Sequence, residues 1–261
     1  MKIAVLIKQI PDPVAPMYLD ADFRLDRTGK LLLDEADTYG IETALQLIES
    51  QGSQGDGEVV VFSVAPKSGI SGIRSALALG ASRAVLISDE SIAGSDALST
   101  AKVLAAAIKR ESFDLVIAAT ESTDGYSGIM PVQLAELLEF PSITFVRKVE
   151  IVKDTIVAEC QTEQGYDKIE VRLPALITVT AKSVEPRYPS FKGIMAAKTK
   201  PCLELGLVDL GLTPDDVGSL GARQRVVGIE SLPQRESGFI IEDSGDAYLK
   251  ILDFLEQLKL I

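Results

Sequence analysis

Four apolar runs, Ile3 to Ile7, Glu58 to Val64, Ala84 to Ile87 and Leu115 to Ala119, constrain this chain more than any other feature. Each is short, rich in Val, Ile and Leu, and almost free of polar alternation, so each reads as a strand covered on both faces. Helical stripes separate them. Ile41, Leu45 and Ile48 share one face, as do Ile70, Ile73 and Leu77, with Gly80 as a C-cap. Ser95-Asp96 opens a third helix with the stripe Leu98, Ala101, Ala105 and Ile108. Strand and helix in alternation predict right-handed βαβ units and a mostly parallel sheet flanked by helices, an α/β fold.

After Pro141 the pattern becomes Ile143 to Ile151, Thr155 to Cys160, Lys168 to Leu173 and Ala175 to Thr180, with turn signals at Lys153-Asp154 and Gln164-Gly165. These segments predict an antiparallel meander extending one α/β domain over residues 1–200. From Pro201 regular alternation is lost, and order resumes near Ala247 in an amphipathic helix carrying Tyr248, Ile251, Leu252, Leu255 and Leu258. Structureless segments beyond about 12 to 15 residues are uncommon inside a compact domain. Residues 201–261 therefore read as an arm that packs on another subunit, with folding back on its own domain as the alternative.

Several chemistries are excluded by composition. The 261 residues include no histidine, which removes Ser-His-Asp triads, imidazole bases and His-ligated metals. Cys160 and Cys202 stand far apart, without the spacing of a redox dithiol or a zinc site. Lys and Arg number 26 against 38 Asp and Glu, a net charge of −12 that disfavours nucleic acid as a ligand. The first strand begins at Met1 and no run is long enough for a bilayer span, so the expectation is a cytoplasmic protein without membrane insertion.

The stretch from Asp114 to Leu138 has the form strand, polar glycine-containing loop, helix. In open parallel sheets ligands bind at such a junction. Pro131 suits the first helical turn, and N–H groups around Ser127 to Met130 are placed to hold one phosphate. Glu121 and Asp124 would repel a triphosphate and suit ribose hydroxyls better. Taken alone, Ser-Thr-Asp-Gly is also ordinary capping and turn chemistry. No P-loop and no G-x-G-x-x-G after a strand occurs. Asp34, Glu35 and Asp37 precede a helix expected near Thr38 and read as favourable charge at its N-terminus, unless their loop faces the junction after Ala119.

A second constellation lies near the carboxyl end. Arg187, Lys192, Lys198 and Lys200 fall between Pro186 and Cys202 without an intervening acid, interleaved with Tyr188, Phe191, Ile194 and Met195. Taken singly, each lysine reads as part of a solvated loop; together they form a cationic, apolar island suited to acidic protein surfaces.

The segment Glu185-Pro-Arg-Tyr-Pro-Ser-Phe-Lys-Gly-Ile-Met-Ala-Ala-Lys-Thr-Lys200 resembles the signature and partner-recognition loop, residues 183–203 here, of the electron transfer flavoprotein beta subunit family. Supporting matches are Val5 to Asp12, Ile73 to Ala81 and Leu232-Pro-Gln-Arg235. The resemblance implies an adenine nucleotide alpha hydrolase-like fold and a heterodimer with an alpha subunit that holds most of the FAD. It further implies electron transfer from acyl-CoA and related dehydrogenases to a quinone reductase, and AMP buried in this subunit. Carried over by position, AMP contacts fall at Leu6, at Asp34, Glu35, Ala36 and Asp37, and at Val64. They continue along Ala119, Thr120, Glu121, Ser122, Thr123, Asp124, Gly125, Tyr126, Ser127, Gly128, Ile129 and Met130. Phe191 stands where the family often has leucine.

The loop departs from the family pattern at Gly125-Tyr126 and Gly128-Ile129-Met130, so backbone amides carry more of the phosphate contact; AMP is favoured over the second FAD of bifurcating relatives. The flavin would do the chemistry, leaving this subunit an electron carrier component and not an enzyme in its own right. Two rivals remain: a stand-alone adenine-nucleotide sensor of the universal-stress type, and an ATP-pyrophosphatase-like enzyme, whose Ser-Gly-Gly-x-Asp-Ser loop is nothing like Lys8 to Asp12.

Overall fold

The computed structural model describes residues 1–52, 57–230, 232–233 and 238–261. In chain order the strands are β1 (Lys2–Leu6), β2 (Gln9–Pro11), β3 (Leu31–Leu33), β4 (Glu58–Val64), β5 (Arg83–Ile87), β6 (Leu115–Ala119), β7 (Ser142–Val152), β8 (Thr155–Thr162), β9 (Gly165–Arg172), β10 (Ala175–Val179) and β11 (Cys202–Leu205). The helices are α1 (Glu35–Ser50), α2 (Ile70–Leu79), α3 (Ala97–Ile108), α4 (Met130–Leu138), α5 (Phe191–Ala197), α6 (Gly218–Gly221) and α7 (Ala247–Gln257). Nine strands form one sheet in the order β11-β5-β4-β1-β6-β10-β7-β8-β9, and β2 pairs with β3 in a small antiparallel ribbon.

Strand β1 shows why the central runs lack alternation. Its odd residues, Ile3 and Val5, pack with Ile41 and Leu47 of α1 and Ile73 and Leu77 of α2. The even residues, Ala4 and Leu6, pack on the opposite side with Leu104 and Ile108 of α3 and Leu134 and Leu138 of α4. Both faces are covered, so every position from Ile3 to Leu6 is apolar. Burial of each such Ile, Leu or Val contributes about 1.5 to 3 kcal/mol, and Phe62 adds an edge-to-face contact with Phe113 at 5.5 Å between centroids.

The helix caps follow from sequence chemistry. Asp96 accepts from the Ser99 N–H at 2.8 Å to start α3, and Gly80 ends α2 at φ +139°, a conformation that a residue with a side chain rarely takes. Helix α1 begins at Glu35, three residues before the expected start at Thr38, because the Asp34 carboxylate caps it, accepting from the Ala36 N–H at 3.1 Å. Asp37 is thereby drawn inside the first turn and buried.

The expected four-strand meander is a three-strand one. β7, β8 and β9 pair antiparallel, but β10 returns to lie parallel between β6 and β7. All five residues of β10 are buried, the mark of a strand covered on both faces, whereas β8 and β9 keep exposed polar positions. Residues 201–227 also differ from expectation. β11 extends the sheet in parallel beside β5, and Leu205, Leu207 and Val217 enter the core on the α3 and α4 side. A four-residue edge strand with Leu203 and Glu204 exposed has too little alternation to be read in advance.

The chain divides into one unit of residues Met1–Val227 and a second of Gly228–Ile261, so residues 201–227, expected with the carboxyl-terminal segment, belong to the first unit. The second unit contains α7, whose Tyr248, Leu249, Ile251, Leu252 and Phe254 are exposed, as is Leu258 at its C-cap. Among the described residues no helix is long and apolar enough to cross a membrane.

Candidate functional site

The chain runs outward from β1 to β4 to β5, then crosses to β6 on the other side of β1. Helix α1, which follows β1, covers one face of the sheet, and α4, which follows β6, covers the other. The loops leaving β1 and β6 therefore part in opposite directions, opening the crevice where parallel α/β sheets bind ligands. Leu6, Val64 and Ala119 end the three adjacent strands β1, β4 and β6, side by side at this edge of the sheet.

Each wall of the crevice is tied down by a carboxylate. Asp34, fully buried, accepts from the Thr123 N–H at 2.8 Å and the Thr123 hydroxyl at 3.0 Å, so the acidic turn does face the junction after Ala119 while also capping α1. Asp37 accepts from the Lys8 N–H at 2.5 Å. Burial pushes the Asp37 carboxyl well up, against the Lys8 N–H and ammonium, and the neighbouring Asp34 and Asp124 carboxylates push it further. Two of the four residues at 34–37 thus spend their carboxylates on the protein, which leaves exposed Glu35 and the backbone of Ala36 to meet a ligand.

Asp124 is held more tightly still. Its side chain is 3% exposed; Oδ1 accepts from Lys8 Nζ at 2.5 Å, and Oδ2 pairs with the Arg27 guanidinium. Lys8 Nζ also reaches Ser122 Oγ at 3.1 Å, and Arg27 donates to the Gln9 carbonyl at 2.8 Å. Burial alone would raise the Asp124 carboxyl, but the Lys8 and Arg27 charges outweigh it and hold it below the usual carboxylate range. The expected role of Asp124 toward ribose hydroxyls is therefore not what the structure shows, since both oxygens are committed to cations. Glu121 is the exposed acid of this loop.

Beyond Asp124 the loop turns back on itself and leaves a run of backbone amides without acceptors. The Gly125 and Tyr126 N–H groups close onto the Ser122 carbonyl at 3.4 and 2.9 Å, and Tyr126 and Gly128 take positive φ, +47° and +65°. Among the described residues nothing accepts from the N–H groups of Ser127, Gly128, Ile129 or Met130. Ile129 caps α4 with no side-chain bond, and Pro131 stands in the first turn. Unaccepted amides at the start of a helix suit one anionic group. Thr120 contributes differently: its hydroxyl donates to the Val179 carbonyl at 3.0 Å and fastens the loop to β10.

Lys8 and Arg27 were missed as site residues. Lys8 stands two positions beyond the end of a strand that was recognised, so its place could have been inferred. Arg27 comes from the irregular stretch between β2 and β3 and carries no such signal.

The cationic island resolves into a knob and its fixings. Ser190 caps α5 by accepting from the Gly193 N–H at 3.0 Å. Tyr188, Phe191, Ile194 and Met195 are exposed, Phe191 by 81%. Lys192 and Lys198 are exposed and make no ion pair among the described residues. Arg187 instead grips α1, donating to Glu42 at 2.8 and 3.0 Å and to Glu49 at 2.7 and 3.1 Å. Hydrogen bonds and charge from both acids raise its pKa. Lys200 caps the end of α2, donating to the Leu77 and Ala81 carbonyls at 2.9 and 2.6 Å. Arg74 of α2 donates to the Ala197 carbonyl. Half of the island therefore serves as scaffold, and Lys192 and Lys198 are its outward charges.

Gly193 allows the close seating of α5 on α2, because a Cβ there would stand 2.5 Å from the Ala78 carbonyl oxygen. Gly193→Ala should lower stability by about 1 to 3 kcal/mol through this clash. A thermal melt indistinguishable from the unsubstituted chain would show that α5 does not sit this close.

Residues 22–210 match the family described as electron transfer flavoprotein domain. A protein of Mycobacterium tuberculosis named electron transfer flavoprotein subunit beta is 40% identical over 99% of both chains. Another of that name from Bacillus subtilis is 34% identical over 93% of this chain and 92% of its own. The caffeyl-CoA reductase-Etf complex subunit CarD of Acetobacterium woodii is 32% identical over 92% of each. The Leu232-Pro-Gln-Arg235 match extends onto Gln234 and Arg235, which lie outside the described residues.

Proposed function

This chain belongs to the electron transfer flavoprotein family as a beta subunit, and from that premise we propose that it pairs with an alpha subunit holding most of the FAD. The pair accepts electrons from acyl-CoA and related dehydrogenases and passes them to a quinone reductase in the cytoplasm. Bound flavin supplies the one-electron chemistry; this chain's residues supply docking and architecture. The observation that carries the reading is the exposed Phe191 knob on the capped α5, fixed at its base by Arg187, Arg74 and Lys200. An aromatic side chain held rigidly outward, with Lys192 and Lys198 beside it, has the makings of an interface anchor with steering charges. The second unit, Gly228–Ile261, with its exposed apolar α7, is assigned to the alpha subunit.

The crevice between β1 and β6 is assigned to AMP. The N–H groups of Ser127 to Met130 take its phosphate, Leu6, Val64 and Ala119 the apolar part, and Glu35 and Glu121 the ribose hydroxyls. The prediction is that protein purified without added nucleotide releases AMP on acid treatment, about one per chain, measured by chromatography and mass spectrometry. No nucleotide at all would remove the assignment. A second reading is favoured by the similarity to CarD: a bifurcating system in which this crevice holds a second FAD. In that case the released ligand would be FAD, two per heterodimer.

A further inference from the structure

Lys8 and Arg27, both partly exposed, converge on the buried Asp124 carboxylate beside the loop after β6, an ion-pair cluster that the sequence reading, which gave Asp124 to a ligand, does not foresee. Both Asp124 oxygens are occupied, and each cation has a further anchor, Lys8 on Ser122 Oγ and Arg27 on the Gln9 carbonyl. Neutralising the acid would thus leave two cations standing beside the loop. A Cβ on Gly125 would lie 3.7 Å from Lys8 Nζ, so the ammonium already touches the loop on which the free amides are carried. In P-loop sites for nucleoside triphosphates a lysine reaches the outer phosphates. Here the lysine is spent on Asp124, and Glu121, with an oxygen 3.9 Å from where a Gly128 Cβ would stand, adds a negative charge on the same side.

We propose that Asp124 determines how much negative charge the site accepts: by holding Lys8 and Arg27 in an internal pair, it makes the crevice selective for a nucleotide with one phosphate over those with two or three. The inference rests on the adenine-nucleotide reading of the crevice and names its specificity residue. It also bears on a second FAD, whose pyrophosphate brings two charges to the same place.

The test is calorimetric titration of AMP, ADP and ATP into the nucleotide-freed full-length chain. The unsubstituted chain should bind AMP most tightly. Asp124→Asn should raise the affinity for ADP relative to AMP about tenfold, the order expected for one unit of charge at a partly solvated site. Arg27→Gln, which removes a cation and keeps the acid, should move the ratio the other way, so the proposal stays testable if one variant fails to fold. Unchanged ratios in the variants, with AMP still bound, would overturn the role of Asp124 and leave the nucleotide reading intact. Absence of any adenine-nucleotide binding by the unsubstituted chain would overturn both.

Discussion

Phe191→Ala is expected to slow reduction of the alpha-subunit flavin by a partner dehydrogenase about 30-fold at sub-saturating concentrations. That factor corresponds to the roughly 2 kcal/mol that separates an interface hot spot from a neutral contact. Phe191 is 81% exposed, so truncating it removes little from the core. The melting temperature, the flavin content and the heterodimer should therefore be unchanged. Rates should be followed by stopped flow at several dehydrogenase concentrations, so that weakened docking appears as a loss recovered near saturation. Lys192→Glu should act differently, slowing association mainly at low salt, because exposed charges steer more than they hold. A Phe191→Ala protein that reduces at the normal rate would dismiss the knob as a docking element. One that loses its FAD would make α5 structural.

Arg187→Met should lower stability by about 2 to 3 kcal/mol at neutral pH, a fall of roughly 5 to 10 °C in melting temperature for a chain of this size. The Glu42 side chain is 6% exposed and depends on Arg187 for most of its compensation; Gln46 offers one further bond at 2.8 Å. The estimate lies below that for a fully buried pair because Arg187 is itself 36% exposed.

Its pH dependence has a definite sign. Burial would raise the Glu42 carboxyl, but bonds from Arg187 and Gln46 bring it below the ordinary 4.5. A depressed carboxylate contributes stability above the unfolded value and loses it as pH falls through the lower folded value. The gap between Arg187→Met and the unsubstituted chain should therefore be widest near pH 7 and narrow below about pH 4.5. A gap independent of pH would mean that lost packing, and not the unpaired acid, carries the effect. Arg187→Lys should recover part of the loss, since it keeps the charge but not the two-pronged fit to Glu42 and Glu49.

How far the fold was legible depended on how much of each element is buried on both faces. β1, β4, β5 and β6 were recognisable because apolar residues run through them with almost no polar alternation. β10 has the same signature, and grouping it with its polar neighbours β8 and β9 caused the misreading of the meander. β2, β3 and β11 have three or four residues each, too few to establish a period. The crevice was legible as strand, loop and proline-started helix, whereas its Arg27 was not, because only the tertiary fold brings residues 27 and 124 together. The Glu185 to Lys200 segment reported its own importance through composition. It did not report that Arg187 and Lys200 point inward, since their partners are the acids of α1 and the terminal carbonyls of α2, well over a hundred residues away in the chain.

The visible absorption spectrum of the chain co-expressed with an electron transfer flavoprotein alpha subunit, recorded before and after adding an acyl-CoA dehydrogenase with its substrate, tests the account most directly. The account predicts a yellow one-to-one complex whose flavin bands bleach within the mixing experiment, and bleach far more slowly with Phe191→Ala. A colourless chain that purifies without the alpha subunit, as a self-assembled dimer, would contradict it.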